Sequence, residues 1–138
     1  FPAPRIGVFN DLAVGLESGL FTAGSALAHN PFETRFQFDD FAIQRYPAGS
    51  RGIGIHRDGK RYKHIVVIIT LAGQSRLFST SSRTGDSRQR IDDRPGRLVL
   101  LSADGFAGRY DQHSRPLHGV DCVRTGRLSI GFRSFGLT

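Results

Sequence analysis

The chain has 138 residues, a natural length for one domain that buries a core of its own. Its hydrophobic content of 38% and charged content of 22% are ordinary for a soluble protein, and the longest apolar run, residues 65–69, is far too short to span a bilayer. The single cysteine, Cys122, excludes an internal disulfide and any cysteine-cluster zinc site; it fits a reducing compartment and makes the cytoplasm the expected location. The formal charge of +7 has two readings: an attraction for anionic partners such as nucleic acid, or an arginine bias spread along the chain, since 17 of the 19 basic residues are Arg.

Residues 1–40 read as a helical or irregular cover. Asn10 and Asp11 are expected caps before Leu12, Val14, Leu16 and Leu20, a loose helical spacing interrupted by Gly15, Gly19 and Gly24. The expected task of this segment is to shield an outer apolar face of the structure that follows. From residue 36 onward, short β-prone runs alternate with Gly, Pro, Asp and Ser turns. Strands are predicted at residues 36–46, 54–58, 63–71, 76–79, 89–92, 98–102, 117–123 and 127–135. Arg83-Thr84-Gly85-Asp86 and Arg94-Pro95-Gly96-Arg97 supply residues suited to tight turns. The fold class expected for residues 41–138 is mainly β, a double-stranded β-helix or jelly-roll barrel forming one catalytic core with its amino-terminal cover.

Within this pattern, Gly54-Ile55-His56-Arg57-Asp58 puts His56 and Asp58 side by side, because side chains two residues apart on a strand share a face. Two imidazoles and one carboxylate on a triangular face are what a non-haem iron(II) oxygenase needs, with the remaining coordination positions open. Taken singly, His-x-Asp is more often an exposed histidine near a carboxylate. A third ligand must come from a distant strand, and the candidates are His29, His64, His113 and His118. His118 is chosen because it heads a β-prone run leading through Arg124-Thr125-Gly126 into the last strand. His113 lies in a polar stretch that reads as a solvated loop, His64 heads an apolar strand, and His29 sits in the poorly patterned amino-terminal part. In the last strand, Arg127, Ser129, Gly131 and Arg133 share one face while Leu128, Ile130 and Phe132 take the other. Alone, this reads as an ordinary amphipathic strand with its arginines in water. If the polar face looks into a barrel, two guanidinium groups flanking a glycine make a slot for a dianion.

Four pieces occur in one order: Gln44-Arg45-Tyr46-Pro47-Ala48-Gly49, His56-Arg57-Asp58, His118-Gly119-Val120 and Arg127-Leu128-Ser129-Ile130-Gly131-Phe132-Arg133. Together they resemble the AlkB-like branch of the iron(II) and 2-oxoglutarate-dependent dioxygenases, over roughly residues 41–135. The resemblance implies that His56, Asp58 and His118 ligate iron and that Arg127 pairs with the distal carboxylate of 2-oxoglutarate. It further implies that Tyr46 hydrogen-bonds that cosubstrate, and that Ser129 and Arg133 add contacts, Arg133 nearer the iron-chelating end. Gln44 stands where the family often has Asn. The implied reaction hydroxylates a substrate C–H bond while 2-oxoglutarate and oxygen become succinate and carbon dioxide, and on an N-methyl or O-methyl carbon it becomes demethylation.

Three functions are carried forward in this order: hydroxylation of a small molecule, AlkB-type demethylation of nucleic acid or protein, and a non-catalytic jelly-roll binding module. A nucleobase-repairing member has a substantial recognition lid before the cosubstrate strand, whereas about forty residues precede it here, and with no Trp the stacking partners for a flipped base reduce to Phe, Tyr or His. Arg51, Arg57, Lys60, Arg61 and Lys63 offer phosphate contacts, or a solvated loop.

Overall fold

The computed structural model describes residues 1–32 and 34–136. A two-residue strand β1 (Pro2–Ala3) precedes helix α1 (Gly7–Ser25), and eight further strands follow. These are β2 (Asp40–Tyr46), β3 (Ile53–His56), β4 (Ile65–Gly73), β5 (Arg76–Thr80), β6 (Gln89–Ile91), β7 (Leu98–Ser102), β8 (Leu117–Asp121) and β9 (Arg127–Arg133). They form two antiparallel sheets, one in the order β1-β2-β9-β4-β7 and the other in the order β3-β8-β5-β6. From β2 to β9 the chain steps between the sheets at nearly every turn, and the first of these eight strands pairs with the last. That connectivity is the predicted double-stranded jelly roll.

The five-stranded sheet is covered on both faces, which explains why β4 reads as a continuous apolar run rather than an alternation. On its outer face, Ile65, Val67, Ile69, Ile130 and Phe132 pack with Phe36, Phe38 and Phe41, and Leu16, Leu20 and Phe21 of α1 close over them. On the inner face, Val66 joins Leu77, Val99, Leu101, Val120 and Val123 between the sheets, with Ile68 packed against them. Among the described residues, no helix is long and apolar enough to cross a membrane.

Several boundaries differ from expectation. Helix α1 begins before Asn10 and Asp11, on Ile6, and no side chain caps it. Its start is held instead by Arg5, whose guanidinium donates to Asn10 Oδ1 at 3.0 Å, to both carboxylate oxygens of Glu17 at 2.8 and 2.9 Å, and to the Phe38 carbonyl at 2.9 Å. Phe36 and Phe38 fill the outer core as irregular chain ahead of β2, so this strand starts later than predicted. Strand β4 starts at Ile65 because His64 adopts φ 66, a left-handed conformation that breaks the extended run from Lys63. The last two residues of the predicted core, Leu137 and Thr138, lie outside the described residues.

Candidate functional site

Strands β3 and β8 pair so that His56 stands directly opposite His118, and their imidazole centroids lie 4.4 Å apart. Strand β3 stops at His56, so Asp58 comes from the loop just beyond it and not, as predicted, from the strand itself. It still turns back to the pair: Asp58 Oδ1 lies 3.7 Å from His56 Nε2 and 3.6 Å from His118 Nε2. One ligand atom from each residue lies within 4.8 Å of the others, a grouping that could hold a metal ion.

The rings are aimed by backbone carbonyls. His56 Nδ1 donates to the Gly54 carbonyl at 2.7 Å and His118 Nδ1 to the Pro116 carbonyl at 2.9 Å. A carbonyl oxygen only accepts, so in each neutral ring the proton sits on Nδ1 and the Nε2 lone pair points toward Asp58. The neighbouring Asp58 carboxylate raises the pKa of His56, against some loss from burial. Burial lowers that of His118, which is only partly offset by Asp58. Burial alone would raise Asp58, but His56, His118 and Arg133 outweigh it and hold its carboxyl below the usual range.

Two arginines lace the ligand loops together. Arg57 donates to the carbonyls of Gln112, at 2.9 Å, and Arg115, and Arg115 in return donates to the Asp58 carbonyl at 2.8 Å. The His-x-Asp segment is thereby clamped to the loop that leads into His118.

On β9 the alternation resolves in favour of the inward polar face. Ile130 and Phe132 belong to the outer core beneath α1, so Arg127, Ser129, Gly131 and Arg133 face the space between the sheets. Opposite them on β2 stand Tyr46, Gln44, Ala42 and Asp40. One cavity of about 60 Å³ is lined by His56, Asp58, His118, Gln44, Arg127, Gly131 and Arg133, with Ile53, Ile68, Leu77 and Val120 as its apolar wall. Arg133 lies at the Asp58 end: its charge acts on Asp58, its Nη2 is 2.6 Å from Asp40 Oδ2, and its guanidinium stacks 4.5 Å over the Tyr62 ring. Arg127 is buried; its Nη2 donates to Thr70 Oγ1 at 3.3 Å and lies 3.5 Å from Asp93 Oδ2. Burial lowers the Arg127 pKa, with Asp93 and Tyr46 opposing, and burial raises that of Tyr46, opposed by Arg127. Three buried polar atoms on this face have no hydrogen-bond partner: Arg127 Nε, Ser129 Oγ and Arg133 Nε. Orphaned donors cost about 1–3 kcal/mol each when buried, a cost that a ligand hydrogen-bonding to them would relieve.

Gly131 shapes the slot. A Cβ there would meet only the Ala42 carbonyl oxygen, at 3.9 Å, so the glycine is demanded neither by the backbone nor by packing and leaves the cavity open. The other histidines lie elsewhere. His64 stacks on Phe36 at 5.4 Å, His113 is exposed in the turn Gln112–Ser114, and His29 is exposed after α1. Asp93, Thr70 and Arg115 were not found from sequence. Asp92 and Asp93 look alike there, yet the first is exposed beside Arg94 and the second is buried against Arg127.

No family model matches the chain, and no curated protein matches it. Among solved structures it is similar to a Pseudomonas putida prolyl-4-hydroxylase, with a TM-score of 0.56 and 14% identity over 94% of this chain and 67% of that one. A cupin domain from Bordetella pertussis aligns at a TM-score of 0.42 and 14% identity, over 69% of this chain and 79% of that one. The likeness to the hydroxylase is one of fold.

Proposed function

We propose that the protein is a non-haem iron(II) and 2-oxoglutarate-dependent dioxygenase that hydroxylates a C–H bond of a small molecule. The observation that carries this reading is that a single cavity is lined both by a two-histidine, one-carboxylate cluster and by Arg127 and Arg133, each with a buried, unpartnered Nε. The donor set suits a first-row divalent metal with positions left open for other ligands, and the donors suit a dicarboxylate.

In this reading His56, Asp58 and His118 hold the iron, with the Nδ1 bonds to the Gly54 and Pro116 carbonyls keeping both imidazoles in the ligating tautomer. Arg127 and Ser129 take the distal carboxylate of 2-oxoglutarate, Arg133 guards the end nearest the metal, and Gln44 and Tyr46 add hydrogen bonds from β2. Ile53, Ile68, Leu77 and Val120 give the cavity an apolar wall, in which each of these polar contacts is stronger than in water. When bound, iron and cosubstrate supply the oxidising power for C–H cleavage, 2-oxoglutarate and oxygen ending as succinate and carbon dioxide. A small-molecule substrate is favoured because the described residues among 1–40 line no part of the cavity; α1 packs on the opposite face of the sheet. The proposed place in the AlkB-like branch rests on the motifs at residues 44–49, 56–58, 118–120 and 127–133.

The test is anaerobic addition of iron(II) and then 2-oxoglutarate, read as the visible charge-transfer band of the chelate, followed by succinate release in air. Absence of both refutes the reading. A panel of metabolites, proline-containing peptides and alkylated oligonucleotides at fixed ionic strength, scored by stimulated turnover, then separates the substrate classes. Stimulation by oligonucleotides alone would replace the small-molecule reading with demethylation.

A further inference from the structure

Asp93 takes no part in the scheme above, yet it is one of the most buried carboxylates in the chain. Its side chain is 5% exposed and that of Arg127 is 2% exposed. A carboxylate so buried is costly unless paired, and its two contacts are loose ones: Arg127 Nη2 at 3.5 Å and Ser75 Oγ at 3.4 Å. Charge-assisted pairs that close fully on each other sit nearer 2.7–2.9 Å. Asp93 therefore steadies the guanidinium from one side without using up its hydrogen-bonding capacity.

The division of the Arg127 donors is specific. Nη2 faces Asp93 and Thr70 Oγ1, whereas Nε, buried, has no partner. Ser129 Oγ, two residues along the same face of β9, is also buried and unpaired. Arg133 is held independently, by Asp40 and the Tyr62 ring. The two ends of the slot thus have separate anchors, and only the Arg127 end depends on Asp93.

We propose that Asp93 is a positioning residue that fixes Arg127 from behind, so that this cavity-lining guanidinium keeps its unpaired Nε available to a ligand, and that it thereby sets the preference for a ligand with a second, distal carboxylate. This rests on the assignment of Arg127 to that carboxylate. Its anchor lies in the turn between β6 and β7, which is also tied to β4 by the Gly96 N–H donating to the Thr70 carbonyl at 2.8 Å. Thr70 thus meets this assembly twice, through its hydroxyl and through its backbone.

The experiment compares two chelators on the iron(II)-loaded protein without oxygen: 2-oxoglutarate, and 2-oxobutyrate, which has the chelating end but no distal carboxylate. Asp93→Ala should weaken 2-oxoglutarate binding about tenfold or more and leave 2-oxobutyrate within about twofold, since only one hydrogen-bonded contact is misaligned. Asp93→Asn, which keeps an acceptor for Nη2, should recover part of the loss. Thr70→Val removes the other bond to that nitrogen at nearly constant volume and should show the same selective weakening to a smaller degree; it decides the matter if the Asp93 variants do not fold. Parallel losses for both chelators, or unchanged 2-oxoglutarate affinity in a folded variant, overturn the proposal. If the unmodified protein shows no preference for 2-oxoglutarate over 2-oxobutyrate, the assignment of Arg127 has failed first, and that result is distinct because it needs no variant.

Discussion

Replacing Gly131 by valine separates what the inner face of β9 does for the fold from what it does for a ligand. The Cβ position has only the Ala42 carbonyl oxygen within 4 Å, at 3.9 Å, and Gly131 is absent from the residues of positive φ. Valine therefore meets no clash at its Cβ, and only its two methyls press on the cavity lining. It adds three carbons to a cavity of about 60 Å³ with an apolar wall, so the ligand slot is filled. Each buried CH₂-sized group contributes about 0.8 kcal/mol, and a β-branched residue replacing glycine in a strand adds up to about 1 kcal/mol. Crowding against Arg133 and Ile68 offsets part of this, leaving a variant that is as stable as the parent or about 1–2 kcal/mol more so. Binding of 2-oxoglutarate should be lost, while cobalt(II) or iron(II) binding at His56, Asp58 and His118 survives. Urea denaturation, metal titration and the anaerobic chelate band together read all three quantities. Retained 2-oxoglutarate affinity, or a destabilisation beyond about 2 kcal/mol, would refute the view that this glycine is kept for a ligand.

Two further outcomes follow from the metal end. His56 binds its proton more tightly in the metal-free fold than the ordinary 6.5, so that contribution to metal-free stability is complete below pH 6.5 and is lost as pH rises through its raised pKa. A metal must displace this proton, so cobalt(II) affinity should fall about tenfold per pH unit below that pKa, and one proton should be released in calorimetry; His118, lowered by burial, adds a second only in more acidic solution. Arg57→Ala frees the carbonyls of Gln112 and Arg115 and loosens the loop leading to His118; metal affinity should drop about 10–100-fold with only a small change in melting temperature, and an unchanged metal titration would remove the clamp from the account.

Much of this site was legible in the chain because its key spacings are local. The period of two joined Arg127, Ser129, Gly131 and Arg133, and it also suggested His56 beside Asp58, although the second of these joins the cluster from a loop. The alternation could not say which face of β9 looks inward: that depends on the phenylalanines at 36, 38 and 41 and on α1 covering the outer face, a tertiary fact. His118 was found through its place before the arginine strand, but its meeting with His56 is a non-local register of β3 against β8. Asp93 had no local signal, since burial next to Arg127 is decided by how the turn after β6 folds under the sheet. The helix start was misplaced because a half-buried Arg5–Glu17 pair does the work that Asn10 and Asp11 seemed suited to do, and pairing across twelve residues leaves no capping pattern.

Strand β9 carries two kinds of selection, interleaved residue by residue. Phe132 and Ile130 answer to the packing beneath α1, while Arg127, Gly131 and Arg133 line the cavity and answer to whatever fills it. A scan of every substitution along this strand, scored once for abundance and once for turnover, should therefore give two period-two patterns out of phase. A single-residue insertion would exchange them, sending arginines into the aromatic layer and phenylalanine into the slot, and would erase fold and chemistry in one step.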